Sequence, residues 1–252
     1  MKPKVIDYYL GYAFADTVRS VVRSPSYLGF DDSTFPDFFG FRTNEFFEKA
    51  AKPNKHTILH IFIYEINYFG YEYMLRKNSA EECVEQCHAL ISAANIPIPA
   101  WLNENQVMRH QGRLGDLVQQ ACQVVTDATF QLLFSDRTFL FEFNCKVAAS
   151  VAMLQKGEHP AVIANGEIRR ETYFPVWLKE AIFHRDKGRC QLCGCDLTNI
   201  LVPTEQRHID HMVPLKAHGT NDPTNLQLVC EKCNKSKGAS VVATQHLSYT
   251  FW

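Results

Sequence analysis

Cys190-Gln-Leu-Cys193, then His208-Ile-Asp210-His211, then Asn225-Leu-Gln-Leu-Val-Cys230-Glu-Lys-Cys233-Asn234-Lys235-Ser-Lys237-Gly238: this stretch decides how the C-terminal part of the chain folds. The two Cys-x-x-Cys pairs stand 40 residues apart and bracket an Asp-His pair. Paired spacing of this kind signals structural zinc, because four thiolates at about 2.3 Å complete a tetrahedron and leave no open position. One zinc ion on Cys190, Cys193, Cys230 and Cys233 is therefore expected to hold the fold rather than do chemistry. The chemistry is expected between the pairs. Cys195, two residues past Cys193, reads as a bystander.

From Phe174 to Ser240 the chain resembles the HNH endonuclease superfamily in its zinc-stabilised form. The resemblance rests on the two Cys-x-x-Cys knuckles, on Asp210-His211, on Asn225, and on Asn234 nine positions later. It implies a ββα-metal unit: two short strands, a loop, then a helix that closes over one catalytic cation. It also implies roles. His211 is the general base, Asp210 and Asn234 hold one Mg²⁺ or Mn²⁺, and Asn225 holds the intervening loop and fixes the His211 ring without touching metal.

The chemistry of these residues agrees with those roles. A neutral imidazole near pH 7 can take a proton from an attacking water. Hard cations prefer oxygen donors such as a carboxylate and a side-chain amide. Neighbours on a regular strand face opposite ways, so Asp210 and His211 reach one cleft only where the strand bulges or ends. His208 shares the alternation of Asp210 and reads as a supporting or surface residue. The family often carries Gly-Gly in the loop between the strands, where this chain has His218-Gly219. Arg185 and Arg189 before the first knuckle, and Lys232, Lys235 and Lys237 around the helix, are candidates for nucleic-acid phosphate contacts, with a solvated surface charge the competing reading for each.

The chain has 252 residues, enough for one large or two modest domains. With 46% hydrophobic and 21% charged residues it can bury a core, and the composition argues against wholesale disorder. Net charge is −1, so there is no global basic excess. From residue 169 onward, however, 11 Lys and Arg face 8 Asp and Glu, against 15 and 19 before it. That asymmetry suits a polyanion-binding module joined to one that does not bind polyanions. The first residues lack the apolar core of a signal peptide, and no apolar run reaches membrane-spanning length. Five further cysteines, an odd number scattered through helical patterns, argue against a disulfide framework and for the reducing cytoplasm.

Upstream, helical periodicity predicts helices over residues 7–23, 44–51, 79–94 and 114–134. Ser79-Ala-Glu-Glu82 is a capping box. Residues 55–77 are apolar on nearly all faces and read as a central helix, with a strand around Ile61–Tyr64 followed by a helix as the alternative. A last helix after Ser135-Asp136 competes with a hairpin around Ser135–Thr138, since Phe139, Phe141 and Phe143 alternate. Residues 24–42 read as an aromatic-rich loop. Cys83 and Cys87, four apart, read as core, and Arg109, His110 and Arg113 as a solvated helix face. Gly157 to Pro160 and Asn165-Gly166 mark a boundary, and Pro175 opens a helix before the first knuckle.

The expectation is an α+β protein with a mainly helical domain over 1–158, a linker over 159–173 and an HNH nuclease domain over 174–252. The resemblance implies metal-dependent hydrolysis of DNA, double-stranded, in prokaryotic defence, restriction or a mobile element. The helical domain would serve targeting, sensing or a protein partner. A zinc-stabilised module that binds nucleic acid without cutting, and an RNA-cleaving nuclease, are the rival readings.

Overall fold

The computed structural model describes residues 8–24, 43–103, 107–200 and 206–241. The aromatic-rich loop expected over 24–42 lies, beyond Ser24, outside the described residues. The architecture is α+β, with helices through the first 150 residues and two small two-stranded sheets after them. No described helix is long and apolar enough to cross a membrane. Contacts divide the chain into two compact units, residues 1–21 with 59–133 and residues 22–58 with 134–252. The boundary read at 159–173 runs inside the second unit.

The first unit is helical. Helix α1 (Tyr8–Arg23) buries Ala15 and Val18, and its residues from Val22 belong to the second unit. Thr43–Ala51 is α2, of the second unit. Ile58–Lys77 forms one helix, α3, and the alternative strand is not made. Leu59, Ile61, Phe62, Ile63 and Ile66 are all buried, which is how an apolar run with no polar face satisfies every side. Helix α4 (Ala80–Ala93) carries the expected capping box: the Glu82 amide donates to Ser79 Oγ at 3.3 Å, and the Ser79 amide donates to Glu82 Oε2 at 2.8 Å. Cys83 and Cys87 lie in its core with Leu114, Val118 and Cys122 of α5 (Gln111–Phe134).

The second unit holds the knuckles. Helix α6 (Arg137–Ala152) replaces the alternative hairpin: Asp136 caps it by accepting from the Phe139 amide at 3.0 Å, and Phe139, Phe143, Val147 and Val151 line its buried face at i, i+4 spacing. Strands β1 (Val162–Ala164) and β2 (Glu167–Ile168) pair as a hairpin around Asn165-Gly166, a turn signal read in the sequence only as a boundary mark. Helix α7 (Val176–Arg185) starts after Pro175 and ends at Asp186. Then β3 (Arg207–His211) pairs antiparallel with β4 (Leu226–Cys230) in continuous register, Asp210 opposite Gln227, and β4 runs into α8 (Glu231–Lys237). Leu178 and Ile182 of α7 pack on Leu226, Leu228 and Val229 of β4, so the ββα unit has an apolar floor.

The loop between β3 and β4 is closed by backbone. The Gly219 amide donates to Pro214 O at 2.9 Å, and a Cβ at Gly219 would stand 1.9 Å from Val213 O. Backbone cannot give way as a flexible side chain can, so Gly219→Ala should destabilise the protein by about 3 kcal/mol. Its thermal midpoint should fall by several degrees, and an unchanged midpoint would contradict this packing.

Candidate active site

Zinc first. The Sγ atoms of Cys190, Cys193, Cys230 and Cys233 all lie within 4.8 Å of one another, and Cys193 and Cys230 are 3.8 Å apart. A tetrahedron with Zn–S bonds of about 2.3 Å has edges of about 3.8 Å, so the donor set fits one structural zinc. Cys195 is not among the four; its carbonyl accepts from the Cys190 amide at 3.0 Å. The cluster is tied to the sheet, since the Gln191 amide donates to Leu228 O at 2.9 Å. Cys230 ends β4 and caps α8, accepting at Sγ from the Cys233 amide at 3.4 Å. The zinc knuckle therefore sets where Asn234 lies.

Asp210, His211 and Asn234 line one cleft of about 380 Å³. His211 is the last residue of β3, so the strand ends where the two neighbours must share a cleft. Asp210 is 7% exposed and its Oδ2 is held twice, by Lys237 Nζ at 3.0 Å and by Gln227 Nε2 at 3.1 Å. Among the described residues neither Asp210 Oδ1 nor the Asn234 side chain has a hydrogen-bond partner. These are hard oxygen donors and fit a divalent cation such as Mg²⁺ or Mn²⁺.

His211 is 2% exposed, and its Nε2 lies 3.1 Å from Asn221 Oδ1. The amide orientation is settled by its other end: Asn221 Nδ2 donates to Ala51 O at 2.9 Å and to Arg169 O at 2.8 Å. Oδ1 can then only accept, so Nε2 carries the proton and Nδ1 keeps its lone pair. Burial pushes the imidazole down from 6.5 to about 4; the Asn221 hydrogen bond opposes this and the Arg170 charge adds to it. A ring held neutral with one defined tautomer is what a general base requires.

Asn225 is fully buried and does hold the loop. It donates from Nδ2 to Val213 O and Thr220 O, both at 2.9 Å, and accepts at Oδ1 from the Val213 amide at 2.9 Å. The residue on the His211 ring is Asn221, four positions earlier, and the Asn225 side chain bonds Val213 and Thr220 rather than the ring. Next to it, Asp222 is buried and accepts from the Ile58 amide at 2.8 Å and the Thr224 amide at 2.9 Å; burial pushes its carboxyl up to about 6.

Two of the expected phosphate contacts are otherwise engaged. The Arg185 side chain is 1% exposed and donates to Asp186 at 2.7 and 3.0 Å and to Leu226 O at 2.6 Å. Lys237 is buried, paired with Asp210 and donating to His211 O at 2.8 Å. Both serve the interior, each as the counter-charge of a buried acid. Arg189, Lys232 and Lys235 are exposed; Lys235 pairs with Glu231 and Arg189 donates to Gly194 O at 3.2 Å. His208 is half-buried, and its Nε2 is buried without a hydrogen-bond partner.

Residues beyond the motif complete the site. Arg137 of α6 donates to Gln227 Oε1 and to Gln191 Oε1, both at 2.7 Å, so the amide that holds Asp210 is itself held. On the other side, His218 Nδ1 donates to Gly166 O at 2.6 Å, docking the β1–β2 turn on the loop and placing Ile163, Glu167 and Arg170 along the cleft.

No curated protein and no solved structure matches the chain. The family model of the HNH endonuclease matches residues 190–240. That span holds both knuckles, Asp210, His211, Asn225 and Asn234, and it is an HNH endonuclease domain.

Proposed function

We propose that the protein is a divalent-cation-dependent endonuclease that hydrolyses DNA phosphodiester bonds. The observation that carries this is the cleft itself: Asp210 anchored at one oxygen, His211 held neutral by burial and oriented by Asn221, and Asn234 on the helix that Cys230 caps. Asp210 and Asn234 would hold the cation. When bound, it supplies charge stabilisation at the phosphoryl and leaving oxygens. His211 Nδ1 takes one proton from the attacking water. The water oxygen bonds to phosphorus, the P–O3′ bond breaks, and O3′ leaves and is protonated from solvent, giving 5′-phosphate and 3′-hydroxyl ends. Lys237 pairs with Asp210 and holds its carboxylate in place, and Asn221 keeps the ring from turning. Duplex DNA as substrate is supported by the basic balance after residue 169 and the exposed Arg189, Lys232 and Lys235. Targeting or partner binding by the helical first unit, and a defence role, belong to the same proposal.

Asp210→Ala and Asn234→Ala test the division of labour. Each should raise the Mg²⁺ needed for half-maximal cleavage by at least about 10-fold, the scale on which even outer-shell partners affect metal affinity. Excess Mn²⁺ should recover part of their activity. A metal titration like that of the wild type in either variant would remove that residue from the cation site.

A further inference from the structure

Arg170 lies outside the matched span of residues 190–240, yet it lines the same cleft as Asp210, His211 and Asn234. Its side chain is exposed and has no hydrogen bond or ion pair among the described residues, not even with Glu167 of the same cleft. Its backbone, by contrast, is fixed on both sides. The Arg169 carbonyl accepts from Asn221 Nδ2 at 2.8 Å, the Glu171 amide donates to Asn221 Oδ1 at 3.2 Å, and the Arg169 amide donates to Ala161 O at 2.8 Å. Asn221 is the residue that also holds the His211 ring. One fully buried amide thus sets the general base and the segment carrying an unpaired guanidinium relative to each other.

An unpaired cation on a pinned segment, facing a buried base and an anchored carboxylate, is placed for an anion. We propose that Arg170 binds a non-bridging oxygen of the phosphate that is cut, acting as a phosphate clamp in the cleft it lines with Asp210, His211 and Asn234. This rests on the endonuclease reading for the identity of the anion. A planar guanidinium can hold two phosphate oxygens at once, which fixes the phosphorus in line with the attacking water as well as adding charge. Lys216, exposed on the loop after β3, lines the same cleft and adds a second positive charge.

The test uses full-length, zinc-loaded wild type, Arg170→Ala and Arg170→Lys with a fluorescent 20-base-pair duplex. Binding without added divalent cation is followed across a KCl series, and cleavage is followed in Mg²⁺ with enzyme saturating. Arg170→Ala should bind about 10-fold more weakly and lower the slope of log affinity against log salt by about 0.9, the loss of one phosphate contact. Its saturated cleavage rate should fall by about 100-fold, the scale for removing one preorganised donor from a developing anion. Arg170→Lys should keep the wild-type slope but recover only part of the rate, because an ammonium cannot form the two-point contact. All three should melt alike, since the side chain is exposed. A wild-type salt slope in Arg170→Ala overturns the proposal, whatever the rate does. If the wild type cuts nothing, the endonuclease reading fails, while the salt slopes still decide whether Arg170 holds a phosphate.

Discussion

His211→Ala should lower single-turnover cleavage by at least about 100-fold, the usual scale for losing a positioned general base. The loss should persist at any Mg²⁺ or Mn²⁺ concentration, because Asp210 and Asn234 are untouched. DNA affinity should stay near the wild-type value, since the exposed basic groups and the cation remain. Asn221→Ala should give a smaller loss of the same kind: the imidazole is still present, but nothing fixes which nitrogen carries the proton. Asn225→Ala should also lower the rate, by loosening the loop from Val213 and Thr220. The decisive comparison is single-turnover rate against metal concentration for the three variants. A wild-type rate in His211→Ala would end the mechanism proposed above.

Loss of zinc should have the other large effect. Cys190→Ser or Cys233→Ser should unfold the ββα unit, because structural zinc supplies folding free energy on the order of 10 kcal/mol in small zinc modules. The reason is local as well as global. Cys230 closes β4 and caps α8, so without the metal the helix that carries Asn234 loses the anchor at its start. Metal analysis of the purified protein should find one tightly held zinc per chain. Circular dichroism and limited proteolysis should then show residues 190–240 becoming labile in the variants. Protein that carries no zinc, or a Cys233→Ser variant as protease-resistant as the wild type, would contradict the assignment.

What the sequence made legible was whatever is encoded by local spacing. The two knuckles sit at a fixed interval and bring four Sγ atoms together, and Asp210, His211 and Asn234 line one cleft, while Asn225 bonds the loop beside it. The Ser79 capping box and the all-round apolar α3 were readable for the same reason: each is settled within one or two turns of helix. What escaped was decided by long-range contacts. Asn221 and Asp222 lie in the loop between β3 and β4, where nothing in the local sequence singles them out, yet they accept from or donate to residues 58, 51 and 169. Arg185 and Lys237 read as surface cations, and only the fold puts Asp186 and Asp210 beside them. Gln227 gave the one available hint, a polar residue within the apolar strand Leu226-Gln-Leu-Val. Arg170 gave none, because its place depends on a hairpin docked by His218.

The central claim is that the cleft cuts nucleic acid with a divalent cation. The most direct measurement incubates the zinc-loaded wild-type protein with supercoiled plasmid, linear duplex, single-stranded DNA and RNA, each with Mg²⁺, with Mn²⁺ and with no added cation. The account predicts cleavage of DNA that depends on the added cation and is lost in His211→Ala. Cation-dependent cleavage of RNA alone would keep the mechanism and change the substrate. No cleavage of any substrate, with zinc bound and the cations supplied, would contradict the nuclease reading and favour a module that binds nucleic acid without cutting it.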